Sequence, residues 1–161
     1  YWDLFQNDRL SKFIFVDEPA FALDTADNPS NLLTYDQTLD FMESLIIDKR
    51  KALRDFIGGI LIHQENEISD LIASSCKVEP QFAGRLFYNH MTTDLSDVLK
   101  TIDIPSLVIS GEKSFFNPEL VKDTVKLLPQ ASFEHFWETG HLMFFEEYAR
   151  FNQIITEFMK V

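Results

Sequence analysis

Ile104-Pro105-Ser106-Leu107-Val108-Ile109-Ser110-Gly111-Glu112 is an apolar run bounded by Pro and Gly, and Trp137-Glu138-Thr139-Gly140-His141 follows further along the chain. The first stretch predicts a strand from Ser106 to Ser110, entered at Pro105 and closed at Gly111. Asn117-Pro118 then opens a helix, with Asn as the cap and Pro in the first helical position, and Pro129 ends it. Ala131 to Trp137 predicts the next strand. Leu142 to Val161 reads as the closing helix, with Phe145, Tyr148, Phe151, Ile154, Ile155 and Phe158 on its apolar side. Strand, helix, strand and helix in this order form a right-handed crossover unit of a parallel sheet.

Upstream, residues 1–10 read as the last turns of an amphipathic helix, with Trp2, Leu4, Phe5 and Leu10 apolar. Lys12 to Asp17 is a short continuous apolar run, which fits a strand buried on both faces of a parallel sheet. Pro19 stops any further ladder. Residues 20–33 are loop-like. Thr34 opens a helix with Gln37 three residues on, a capping box. Leu39, Met42, Leu45 and Ile46 continue it at helical spacing, and Asp48 to Ile62 extends it. Gly58-Gly59 is the expected break or close helix contact. Glu67 to Ser75 predicts a shorter helix, and Pro80 starts another that runs to about Met91. The span from 34 to 93 therefore reads as helical throughout.

The 161 residues are enough for one domain with a core. Apolar residues make up 45% and 16 are Phe, so the chain reads as folded, with a large buried surface or a greasy pocket. The formal charge of −12 repels phosphate backbones and anionic lipid, which argues against nucleic-acid or membrane partners. Cys76 is the only cysteine, so no disulfide forms within the chain; this fits a reducing cytoplasm, and a buried structural thiol is the expected role. No basic, apolar leader or membrane-length run is present in these residues.

Three stretches together resemble the α/β-hydrolase family. Asp8-Arg9-Leu10-Ser11-Lys12-Phe13-Ile14-Phe15-Val16-Asp17 resembles the strand that follows the nucleophile helix. Asp94-Leu95, Leu99 and Ile102-Asp103-Ile104-Pro105, running into Ser106 to Gly111, resemble the return from the helical cap into the core. Gly140-His141 with Phe144-Phe145-Glu146-Glu147-Tyr148-Ala149-Arg150-Phe151-Asn152 resembles the histidine loop and last helix. The closest flavour is the non-haem haloperoxidase, esterase and haloalkane-dehalogenase-like branch. The resemblance implies an α/β fold: the C-terminal portion of an α/β-hydrolase parallel sheet with a helical cap insertion. Residues 1–19 would be core, 20–93 the cap and 94–161 core again. The nucleophile elbow G-x-S-x-G occurs nowhere in these residues. On this reading the first strands, the oxyanion hole and the nucleophile lie outside them.

The resemblance also assigns roles. His141 would be the base that takes the nucleophile's proton and later activates water, with Gly140 letting its loop approach the elbow. The plain alternative is a surface-loop histidine. Much of the family has an Asp three residues after the strand-end Gly, but here that residue is Ser114. That departure implies either a triad that lacks its acid or an acid at the end of the earlier strand, as in some dehalogenase-like members; Asp17 occupies that place, with Glu18 and Glu112 as alternatives and an ordinary strand-end Asp bonding to loop amides as the plain reading. Phe115, Phe116, Leu142 and Met143 flank these loops and are the expected pocket walls for a small apolar substrate.

Other constellations are weaker. Ser110-Gly111-Glu112-Lys113-Ser114 lacks the leading Gly and the spacing of a phosphate loop. His63 with Glu65 and Glu67, or His90 with Asp94, offers only one imidazole each, so no metal site is expected. No organic cofactor is implied. The expected function is the C-terminal part of a serine-type hydrolase of an ester or related small carbonyl compound, working with the missing N-terminal half of the fold. The alternatives are a non-catalytic remnant that binds or self-associates through its open strand edge, or a dehalogenase or epoxide-hydrolase relative with an Asp nucleophile.

Overall fold

The structure is a computed structural model that describes residues 1–62 and 68–160. His63, Glu65 and Glu67 lie outside the described residues, as do the first residue of the helix expected from Glu67 and the final Val161. In chain order the elements are α1 (Trp2–Phe5), β1 (Phe13–Val16), α2 (Tyr35–Ile60), α3 (Ile68–Ser75), α4 (Pro80–Thr92), α5 (Ser96–Leu99), β2 (Ser106–Gly111), α6 (Pro118–Leu127), β3 (Ala131–Phe136), α7 (Met143–Glu146) and α8 (Tyr148–Lys160). They form two compact units, one of Tyr1–Ala20 with Asp94–Val161 and the other of Phe21–Thr93. No described helix is long and apolar enough to cross a membrane.

The first unit is built on a parallel sheet in the order β1-β2-β3. Phe13 pairs with Ser106 and Val16 with Ile109; Ser106 pairs with Ala131 and Gly111 with Phe136. All six residues of β2 are buried, as expected of a central strand with both faces covered. Successive side chains point to opposite faces. Leu107 and Ile109 therefore join Phe136 and Met143 on one face, against Phe151, Ile154, Ile155 and Phe158 of α8. Val108 turns to the other face, where α6 packs on β2 and buries Val121 completely. Asn117 caps α6 through Glu119 N at 3.1 Å, with Pro118 in the first turn.

The helical ends of this unit are shorter than the sequence suggests. Residues 1–10 form a single turn, because Gln6 (φ 52°) and Arg9 (φ 63°) are left-handed and end it. Trp2 is buried and donates through Nε1 to Thr101 Oγ1 at 2.9 Å, which ties that turn to the chain after α5. The closing helix is broken at Glu147 (φ −125°, ψ 48°) into α7 and α8, leaving Phe145 and Tyr148 exposed rather than on a buried stripe.

The second unit is helical. The capping box at Thr34 is present: Gln37 N donates to Thr34 Oγ1 and Thr34 N donates to Gln37 Oε1 at 2.9 Å. The break in α2 falls at Asp48 (φ −148°, ψ 83°) and not at Gly58-Gly59. Asp48 Oδ1 accepts Lys51 N at 3.0 Å, so its side chain caps the second half of the helix as an N-cap residue would. Gly59 faces open space, and Gly84 of α4 lies next to Met42 of α2, where a Cβ would meet the Met42 side chain at ordinary van der Waals distance, 3.5 Å. Phe41, Phe56 and Phe87 pack with ring centroids 4.7 to 5.7 Å apart, in the tilted and edge geometries aromatic quadrupoles favour. Cys76 is half-buried. An open groove of about 310 Å³ lies beside the kink, lined by Phe41, Ile47, Asp48 and Phe56 among others.

Candidate active site

Parallel strands deliver their C-terminal ends to one side of a sheet, where open α/β folds bind ligands. In this chain the loops after β1, β2 and β3 carry Asp17, Ser114 and His141.

Asp17 follows the last residue of β1. Its N–H still donates to Ile109 O at 2.7 Å, which prolongs the pairing with β2 by one bond. Its backbone then turns left-handed (φ 55°), a conformation Asp tolerates better than most residues and one often found at functional sites. The turn folds the carboxylate back over the end of β2, where it is fully buried. There Oδ1 accepts Gly111 N at 3.0 Å and Oδ2 accepts Ser114 Oγ at 2.5 Å.

Gly111 ends β2 because nothing larger fits. A Cβ at this position would lie 2.4 Å from Gly140 O and 2.9 Å from Thr139 O, both backbone atoms. The loops after β2 and β3 therefore cross in contact, pinned by Glu112 N to Phe136 O at 2.8 Å and Lys113 N to Thr139 O at 3.0 Å. Gly140 does not adopt a positive φ. Gly140 N instead donates to Glu146 Oε2 at 2.6 Å, so the first turn after the loop holds it from the other side.

That crossing sets His141 beside Asp17, with Nδ1 2.9 Å from Oδ2. Phe115 lies against the imidazole at 4.6 Å between centroids, and Phe116 meets it edge-on at 5.9 Å. Among the described residues only Nδ1 of the ring has a hydrogen-bond partner. A carboxylate accepts, so the neutral ring donates from Nδ1 and keeps its lone pair on Nε2. An imidazole held in this tautomer, with an open Nε2, can take a proton from a hydroxyl or a water and return it.

The remaining expected residues are placed as follows. Leu142 is buried, and Met143 is fully enclosed in the sheet core with Phe136, Leu107 and Ile109. Glu112 turns away to His135, with Oε2 3.0 Å from Nε2. Glu18 is half-buried next to Asp17, and its carboxyl is raised to about 7, mainly by burial. A charged His141 opposes that rise and Asp17 adds to it. Ser110 and Thr139 are buried with hydroxyls that bond to nothing among the described residues. No group of three His, Cys, Asp or Glu among the described residues is placed to hold a metal. Ser114 and Glu146 are the polar groups that sequence reasoning missed. Ser114 carried one signal, its place three residues after Gly111, but its partner on another strand was invisible.

No protein-family model matches the chain. Its structure is similar to the esterase EaEST from Exiguobacterium antarcticum, with a TM-score of 0.86, 21% identity, and coverage of 94% of this chain and 57% of that one. It is equally similar to the bromoperoxidase from Bacillus anthracis, with a TM-score of 0.86, 21% identity, and coverage of 100% of this chain and 62% of that one. In sequence it is 30% identical over 66 residues to the proline iminopeptidase of Lactobacillus delbrueckii subsp. lactis, which is 41% of this chain and 22% of the relative. The chain thus spans about a fifth of that relative and less than two thirds of the two solved chains. The fold is that of an α/β-hydrolase, and these residues correspond to a C-terminal portion of it.

Proposed function

We propose that this chain supplies the general base and its orienting acid to a serine-type α/β-hydrolase acting on an ester or related small carbonyl compound. The observation that carries the reading is the hydrogen bond between His141 Nδ1 and the buried Asp17 Oδ2, which leaves Nε2 open. A serine outside these residues would attack the carbonyl carbon while its proton passes to Nε2. Asp17 would stabilise the imidazolium that results. The proton would go to the leaving alkoxide as the tetrahedral intermediate collapses to an acyl-enzyme. Water would then give a proton to Nε2 and attack the acyl carbon, and that proton would pass from Nε2 to the serine oxygen as its bond to the acyl carbon breaks, releasing the acid and the free serine. Phe115 and Phe116 would pack against the ring, and the half-buried Phe115 would offer an apolar wall to the substrate, Phe116 being fully buried. The helical unit Phe21–Thr93 would act as the cap.

The test is hydrolysis of p-nitrophenyl acetate by the protein that carries both this chain and the nucleophile. His141→Ala is expected to lower kcat by about 10⁴-fold or more at an unchanged melting temperature. A variant with wild-type turnover would remove His141 from the chemistry. Proline p-nitroanilide run in parallel decides the substrate class, because the curated relative is a proline iminopeptidase. Turnover of the anilide alone would replace the ester by an N-terminal prolyl amide. Turnover of neither, with no covalent adduct, would leave a non-catalytic remnant.

A further inference from the structure

We propose that Ser114 is a positioning residue of the site: its hydroxyl fixes Oδ2 of Asp17 at the point where His141 Nδ1–H meets it. The proposal rests on the Asp17–His141 pairing described above and extends it to a third strand-end residue.

A serine hydroxyl has one proton to donate and lone pairs with which to accept. Ser114 Oγ accepts Phe116 N at 3.1 Å, which sets the rotamer from the side of its own loop. Its single proton is then directed to Asp17 Oδ2 at 2.5 Å, a length typical of a hydroxyl bonded to a charged oxygen. The carboxylate is thereby held at both oxygens, Oδ1 by Gly111 N at 3.0 Å and Oδ2 by Ser114. A carboxylate held at Oδ1 alone could rotate about its terminal bond, which has broad, shallow preferences. With both oxygens held, Oδ2 stays in place for the imidazole at 2.9 Å. Phe115 and Phe116, which follow Ser114 directly, lie against the same ring, so one short segment orients both members of the pair. The titratable groups that face this cluster include Glu18, whose carboxyl is raised to about 7 mainly by burial, and Glu146, which accepts Gly140 N at 2.6 Å.

The test is NMR of the protein labelled with ¹⁵N-histidine, reading the Nδ1–H resonance of His141 and its exchange with water. In the wild type the resonance is expected far downfield, with the ring in the Nδ1–H tautomer. Ser114→Ala is expected to speed exchange about tenfold, the scale of one lost hydrogen bond to a charged group. Ser114→Cys, similar in size but a weak donor, is expected to behave like Ala, and Ser114→Thr is expected to restore the wild-type signal. An unchanged resonance and exchange rate in both Ala and Cys variants would overturn the proposal, as would failure of Thr to restore them or absence of the signal in the wild type. If the resonance depends on Ser114 but no ester or amide is hydrolysed, the hydrolase reading fails and the positioning role stands.

Discussion

Asp17 and His141 stand 124 positions apart in the chain, yet Oδ2 of one lies 2.9 Å from Nδ1 of the other. What joins them is the sheet register: β1 beside β2 and β2 beside β3, each parallel. The left-handed backbone of Asp17 turns the carboxylate inward, and the crossing at Gly111 brings the histidine loop down onto it.

Asp17→Asn removes the carboxylate and keeps the shape. Asn also tolerates the left-handed backbone at this position, so the fold is expected to survive. Turnover of the active protein is expected to fall by about 10⁴-fold through loss of tautomer control. A steady-state assay next to a thermal melt checks this. A rate close to wild type would move the acid role to Glu18.

Gly111→Ala places a Cβ against two backbone oxygens, the nearer at 2.4 Å. Neither belongs to a side chain that can swing away, so the His141 loop must lift. A loss of about 1–3 kcal/mol is expected from this overpacking, together with loss of the Asp17–His141 bond. Chemical denaturation and the His141 ¹⁵N signal read the two effects separately.

Glu18 gives the protein a pH signature. Its carboxyl is raised from 4.5 to about 7 in the folded state, mainly by burial. The folded chain therefore binds its proton more tightly than the unfolded chain does. The contribution to stability is complete below about pH 4.5 and is lost as the pH rises through about 7. Glu18→Gln removes the charge that burial disfavours. Melting temperatures of the two proteins are expected to agree at pH 5 and to diverge by pH 8, with the variant higher. Parallel melting curves across that range would contradict it.

Buried hydroxyls separate into two kinds. Ser30 Oγ donates to Ala22 O at 2.6 Å and accepts Leu32 N at 3.3 Å, so Ser30→Ala strands a buried carbonyl and is expected to destabilise by about 1–3 kcal/mol. Thr139 Oγ1 bonds to nothing among the described residues. Thr139→Val, nearly the same shape, is expected to change stability by less than about 0.5 kcal/mol or to raise it. Denaturant midpoints of the two variants decide between these expectations.

The α/β class and the positions of the strands were legible because continuous apolar runs at Phe13–Val16 and Ser106–Gly111 leave few alternatives. Caps written in adjacent residues were legible too, at Thr34 with Gln37 and at Asn117 with Pro118. What escaped depends on side chains reaching outside the local pattern. The kink in α2 follows from Asp48 capping Lys51 N, while the glycines that drew attention, at 58 and 59, lie within an unbroken helix. The break at Glu147 interrupts a stripe whose spacing reads as one helix. Ser114 looked like a departure from a pattern because its meaning lies in a bond to a residue 97 positions away.

The central claim is that His141, oriented by Asp17, activates a serine. It is tested most directly by intact mass after treatment with a fluorophosphonate, on the protein carrying this chain and on its His141→Ala variant. The account predicts one adduct per molecule in the wild type and little or none in the variant over the same time. Labelling of His141→Ala at the wild-type rate, or a wild type that stays unlabelled, would contradict it.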